Sequence, residues 1–275
     1  MPAPTPTIPV SAAAKQVSTE PVWTPPTLVN PHADSDKRTK VRKMFAAIAP
    51  SYDLNNHLHS LYIDQYWRKR TVRLAELKPA DRVVDVACGT GDLTLQFAAA
   101  LERMRTGGAV AAPVVGIDFT YEMLPIAGQK ARSLVSPANV SFSTGDAQAL
   151  PLSDRSADVV SIAFGIRNVQ SPAAALAEFR RVLRPGGRLV VLEFSVPTNP
   201  LFKGLYNFYC SKVMPLTATW ISGDRSGAYK YLPHSVETFV TPPQMTSLMA
   251  AAGFTDVTAT PLTFGAVVVY RGRVA

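Results

Sequence analysis

The sequence predicts an α/β protein: a doubly wound, mostly parallel sheet of seven strands with a reversed C-terminal hairpin, plus helical N-terminal and lid additions. Three observations carry this. Five short Val- and Ile-rich runs alternate with helix-period stretches between residues 82 and 194. The first run ends in a glycine turn, Gly89-Thr90-Gly91, that passes straight into a helical pattern. Two last runs, near 255–262 and 265–271, are split only by a short turn around Thr263 to Gly265. So short a link cannot make a parallel crossover, so these two strands pair antiparallel.

Residues 1–36 hold eight of the 23 prolines, no glycine and few large apolar side chains. That composition cannot bury a core, and we expect a disordered leader outside the fold. The folded domain is expected over 37–275. From Lys37 to about Leu77 the period is helical. Val41, Met44, Phe45 and Ile48 form one stripe, Pro50 interrupts it, and Leu58, Leu61, Tyr62, Tyr66 and Trp67 resume it. This stretch, 37–78, reads as a helical cap.

Strands are expected at 82–87, 114–119, 140–144, 158–164 and 188–194, nearly continuous in apolar character, as parallel strands covered on both faces are. Helices are expected near 91–105, 120–134 and 171–184. Ser171 can cap the last, Pro172 suits its first position, and Pro185-Gly186-Gly187 stops it. A βαβαβ order places a ligand at the carboxyl ends of the strands. Residues 196–250 are rich in aromatics and poor in strand signals, and read as a substrate lid.

The glycine turn reads Asp85-x-x-x-Gly89-Thr90-Gly91-Asp92. A dinucleotide fingerprint wants a third glycine where Thr94 stands, and a phosphate loop wants a lysine that is absent. The second strand ends Asp118-Phe119 and the third Asp146-Ala147. A carboxylate at the second tip suits ribose hydroxyls, and one at the third could meet an adenine amine. Carboxylates crowded there disfavour a pyrophosphate and suit a cationic, phosphate-free nucleoside. S-adenosylmethionine is such a molecule.

The formal charge is +8, and nine Lys or Arg against two Asp fall within 37–73. A local excess of +7 suggests a face for an anionic partner, lipid or nucleic acid, or else an ordinary solvated helix face. Two cysteines, Cys88 and Cys210, build no disulfide framework. No apolar stretch approaches the roughly 18 residues of a membrane span. The four histidines are scattered, so no metal is expected.

The segments "VVDVACGTGDLTL", "GIDFTYEML", "GDAQALP", "AFGIRNV" and "RVLRPGGRLVVLEFS" together resemble the C-methyltransferases of ubiquinone and menaquinone biosynthesis. Upstream "MFAAIAPSYDLNNHLHSLYIDQYW" and downstream "YKYLPHSV" and "AAGFTDV" continue the likeness, over roughly 40–274. It departs at Asn55, where the family usually has Met, at Asp64, where it has His, and at Ala163, often Ser or Gly.

The resemblance implies a class I, S-adenosylmethionine-dependent C-methyltransferase. Its cofactor would be held by Asp85, Gly89, Thr90, Gly91, Asp118, Phe119, Asp146, Ala147 and Ala163. Tyr52, Arg167 and Asn168 are implied around a quinol head. An arginine cannot be the base at neutral pH, but it stabilises a phenolate or acidifies a water. Phe202, Leu205, Tyr206, Phe208, Tyr209, Val213, Met214 and Trp220 are expected in a lid over a prenyl tail.

The expected substrate is demethylmenaquinol. A methoxy-benzoquinol, another small molecule and RNA stay open as alternatives, although no separate RNA-binding module is visible and no nucleic-acid partner is expected. A cytoplasmic enzyme, peripheral on the inner face of an anionic membrane, fits the charge. A homodimer stays open.

Overall fold

Val83–Val86 (β1) is buried along its whole length and forms the centre of the sheet. It pairs in parallel with Val114–Asp118 (β2) on one side and Ala157–Ala163 (β4) on the other. Val140–Thr144 (β3) extends the sheet beyond β2, and Leu183–Phe194 (β5) beyond β4. Thr255–Leu262 (β6) and Val267–Arg273 (β7) form the reversed hairpin, with β7 inserted between β5 and β6. The order is β3-β2-β1-β4-β5-β7-β6. The computed structural model describes residues 22–105, 112–134, 139–209 and 227–275.

Alternate residues of the central strands enter two separate cores. Val84, Val86, Val160 and Val191 pack with Leu176 and Phe179 of Pro172–Val182 (α6) and with Met245 and Met249 of Pro242–Ala251 (α9). Val83, Val159 and Val190 pack with Trp67 of Ile63–Leu74 (α3) and with Leu93, Phe97 and Leu101 of Asp92–Arg103 (α4). Burial on both faces is why the strands read as continuous apolar runs. Leu124–Leu134 (α5) lies beside β3. Ser171 Oγ accepts the Ala174 N–H at 3.2 Å and caps α6, with Pro172 at its first position.

Four expectations are corrected. The leader 1–36 is not wholly outside the fold: Trp23 is 3% exposed and Leu28 7%, and both join a third core with Met44, Ile48 and Tyr231. A proline count overlooks one large aromatic with a distant partner. The 37–78 cap divides. Lys37–Ile48 (α1) and Tyr52–His59 (α2) cap the site, while α3 lies on the sheet through buried Trp67 and Thr71.

The 196–250 lid also divides. Pro200–Phe208 (α7) and Ala228–Glu237 (α8) stand at the site, but α9 covers the sheet through Met245 and Met249. Finally, β5 begins at Leu183, so Pro185-Gly186-Gly187 lies within the strand's bounds, where its register against β4 shifts. Of the expected lid side chains, Val213, Met214 and Trp220 lie outside the described residues.

Candidate active site

The site begins where β1 stops. Cys88 N donates to Ile117 O at 3.1 Å and Gly91 N to Cys88 O at 2.9 Å, closing the turn. Gly91 caps α4 in the left-handed region, φ +86°, where a Cβ would lie 3.1 Å from Ala127 Cβ and Phe142 Cζ. Asp118, at the tip of β2, accepts the Gly89 N–H and the Thr120 N–H, each at 2.7 Å. Burial pushes its carboxyl above the ordinary range, and these two donors oppose that.

Asp85 sits beneath the turn. Its two oxygens accept Thr94 Oγ1–H and Ser161 Oγ–H, both at 2.6 Å, which ties β1 to α4 and β4. Burial raises its pKa to about 6 against those hydroxyls. Thr94, where a dinucleotide site needs glycine, is thus committed to Asp85. The Cys88 thiol is pushed well up by burial and is unsuited to act as a thiolate.

Gly89, Asp118, Phe119, Asp146, Ala147 and Ala163 line one cavity of about 100 Å³. Arg38, Val41 and Phe45 of α1 also line it, with Tyr52 of α2. Asp85 and Thr90 line a small adjoining recess instead. Gly91, expected at the ligand, lines neither, because its place is the helix cap. The lining offers a nucleoside two carboxylate acceptors at strand tips, a backbone turn and an aromatic face, with Arg38 paired to the Asp146 carboxylate.

A second cavity of about 370 Å³ lies on the other side of Tyr52. Met44, Phe45 and Ile48 line it from α1, Trp67 from α3, and Tyr206, Tyr231 and Val236 from α7 and α8. Trp67, Phe164 and Phe194 meet ring to ring within 6.1 Å and form an aromatic wall. Tyr52, Phe45 and Phe164 border both cavities, so a narrow partition separates the carboxylate-lined space from the apolar one. Desolvation there raises the Tyr52 phenol above its usual value.

Phe164 holds φ +56°, a left-handed conformation that costs a bulky residue of order 1–3 kcal/mol. Its carbonyl accepts Arg167 Nη1–H at 2.6 Å and Asn168 Nδ2–H at 3.1 Å. Arg167 is 4% exposed, ion-paired to Glu193 at 2.8 Å, and lines the second cavity. Asn168, expected beside it at the acceptor, lines the first cavity, and its Oδ1 accepts the Tyr231 O–H at 2.8 Å. A short helical turn over Ile166–Asn168 sends the two side chains to different cavities.

Sequence reasoning missed Glu193, Tyr231 and Arg38. The available signal for Glu193 was one charge in the otherwise apolar run Leu189–Phe194.

Lys37 and Arg68 of the basic segment are buried, while Arg38, Arg42, Lys43, Lys69 and Arg73 are exposed. Lys37 donates to Val169 O at 2.5 Å, Arg38 pairs with Asp146 at 2.8 Å, and Lys40 pairs with Asp34 at 2.5 Å. Arg68 is 8% exposed and pairs with Asp64 and Asp92. Asp53, His57 and Asp92 have ligating atoms within 4.8 Å of one another. Lys130 bridges Asp53 and Asp92, and Thr90 Oγ1 donates to Asp53 at 2.5 Å. That set is an ion-pair network clamping α2 to the glycine turn.

The ubiE/COQ5 methyltransferase family model matches residues 33–273. The chain is 42% identical over 241 residues to the ubiquinone/menaquinone biosynthesis C-methyltransferase UbiE of Geobacter sp. (strain M21), covering 88% of this chain and 99% of that one. It is 47% identical over 229 residues to the demethylmenaquinone methyltransferase of Thermus thermophilus, covering 83% and 99%. A SAM-dependent methyltransferase structure from Aquifex aeolicus superposes with TM-score 0.54 at 17% identity, over 76% of this chain and 89% of that one, and so shares the fold. With its strand order, glycine turn and near-complete match, the chain belongs to the ubiE/COQ5 methyltransferase family.

Proposed function

We propose that the protein transfers a methyl group from S-adenosylmethionine to a ring carbon of demethylmenaquinol. The observation that carries this is the partition at Tyr52 and Phe164: a carboxylate-lined cavity on one side and a 370 Å³ apolar cavity on the other. Such an arrangement brings a polar methyl donor and a flat apolar acceptor to one wall. Holding two reactants in line contributes about 7–11 kcal/mol in favourable cases.

When bound, S-adenosylmethionine supplies an electrophilic methyl on a sulfonium. The chain supplies the rest. Asp118, held by two backbone N–H groups, presents acceptor oxygens for ribose hydroxyls, and Asp146 presents them for an amine. Trp67, Phe164 and Phe194 give the acceptor ring an aromatic wall. The ring carbon becomes nucleophilic as a ring hydroxyl loses its proton; it would take the methyl as the sulfonium S–C bond breaks, and loss of the ring C–H proton to water would then restore the aromatic quinol. Arg167 stabilises the phenolate, or acidifies a water that carries the proton away, and Tyr52 orients that hydroxyl from the partition.

The prenyl tail leaves toward α2 and α7. Leu58, Leu61 and Tyr62 are exposed at and just past the end of α2, Leu201, Leu205 and Phe208 are exposed on α7, and Phe202 stacks on Phe264 at 4.1 Å. An apolar crown of this kind suits insertion into a bilayer surface. No described helix is long and apolar enough to cross a membrane. The relatives' names cover both ubiquinone and menaquinone, so a methoxy-benzoquinol is the second acceptor to assay.

The test is a purified-enzyme assay with each reduced quinone, the product read by mass spectrometry. Methylated menaquinol supports the reading, and methylation of neither quinol rejects it. Flotation with phospholipid vesicles tests the crown: Leu205→Asp should weaken it.

A further inference from the structure

Two of the three guanidinium nitrogens of Arg167 have acceptors within the protein. Nη1 donates to Phe164 O at 2.6 Å and to Glu193 Oε1 at 2.8 Å. Nε faces Ser235 Oγ at 3.4 Å. The Phe194 ring lies 5.3 Å from the guanidinium carbon. Among the described residues Nη2 alone has no acceptor, and Arg167 lines the apolar cavity.

Glu193 does more than neutralise that charge. It is 1% exposed near the end of β5, and its Oε2 accepts the Arg167 backbone N–H at 3.2 Å. Oε1 also accepts the Phe194 N–H at 2.8 Å. One carboxylate therefore grips Arg167 at backbone and side chain while anchored to the sheet. A guanidinium is planar, so fixing Nη1 and Nε fixes the direction of Nη2.

We propose that Glu193 is a positioning residue for methyl transfer: it holds Arg167 so that only Nη2 is offered to the acceptor's ring oxygen. This rests on the quinol-methylation reading above. Ser235, on α8, is the minor second hold, through Nε.

The experiment compares Glu193→Gln, which keeps shape and loses charge, with Ser235→Ala. Three readouts are taken on the full chain: kcat and KM for the reduced quinone, S-adenosylmethionine affinity by calorimetry, and ¹⁵N spectra of the Arg167 guanidinium. Misplacing a reacting group by about 1 Å can cost on the order of 100-fold. Glu193→Gln is expected to lower kcat about 10–100-fold, while cofactor affinity stays within about twofold. Ser235→Ala should lower kcat by a smaller factor. The two Nη signals, resolved in the unmodified protein, should merge in Glu193→Gln as the group begins to rotate.

Unchanged kcat in Glu193→Gln overturns the proposal. So does a parallel loss of cofactor affinity, which marks a merely structural role. Should that variant fail to fold, Ser235→Ala decides: unchanged kcat and unchanged Nη signals overturn the proposal, and a fall in kcat at constant cofactor affinity supports it. If the unmodified enzyme methylates no quinol, the substrate reading falls alone, and the Nη spectra still judge Glu193.

Discussion

Arg38 Nη2 lies 2.8 Å from Asp146 Oδ2, and the same guanidinium stands 4.6 Å from the centre of the Phe119 ring. An α1 side chain thus takes both a carboxylate and an aromatic face from the cavity in which the cofactor is expected. That cavity holds about 100 Å³, whereas pockets for drug-sized ligands run to roughly 300–1,000 Å³. A cofactor that uses Asp146 and Phe119 would compete with Arg38 for them. Arg38→Ala is expected to tighten S-adenosylmethionine binding several-fold and speed its association. Calorimetry and stopped-flow fluorescence would read this, and weaker binding in the variant would refute it.

Gly91 serves the helix cap. Ala there must hold φ +86° with its Cβ 3.1 Å from two packed neighbours. Gly91→Ala should destabilise the fold by about 1–3 kcal/mol. Urea denaturation checks this, and a variant as stable as the parent contradicts the packing.

Asp85 makes stability depend on pH. Its folded pKa is raised to about 6 from 3.8, so the folded state holds a proton that the unfolded state has released. Stability should fall as pH rises between those values, and the loss is complete above them. A shift of that size is worth on the order of 2–3 kcal/mol at about 1.4 kcal/mol per unit. Asp85→Asn removes the ionisation. Relative to the variant, the parent should lose stability between about pH 4 and pH 7. Denaturant titrations at several pH values would show it, and parallel curves would exclude it.

Trp23 stacks on Tyr231 with ring centres 4.5 Å apart, and Tyr231 in turn donates to Asn168 at 2.8 Å. Trp23→Ala should cost about 3–5 kcal/mol, as buried Trp truncations do. It should also open residues 22–36 to protease, because His32 Nε2 meets Ser235 O at 2.8 Å in the same contact. Proteolysis unchanged from the parent would place Trp23 outside the core.

The α/β class, the seven strands and the glycine turn were legible in the sequence because their causes are local. Two-sided burial writes continuous Val and Ile runs, a Ser-Pro pair writes the start of α6, and Gly89 and Gly91 write the left-handed turn. Asp118 was legible too, since a strand's tip is a position along the chain. Partnerships were not. Glu193 finds Arg167 across 26 residues, and His32 finds Ser235 across 203. Composition set residues 1–36 aside, yet their last part is packed, because one aromatic ring outweighs several prolines once a distant face receives it. Local periodicity and turn chemistry were enough to determine the scaffold. Which cavity Asn168 borders, what Arg38 covers and what grips Arg167 came only from bringing distant segments together, since those contacts exist in space and not along the chain.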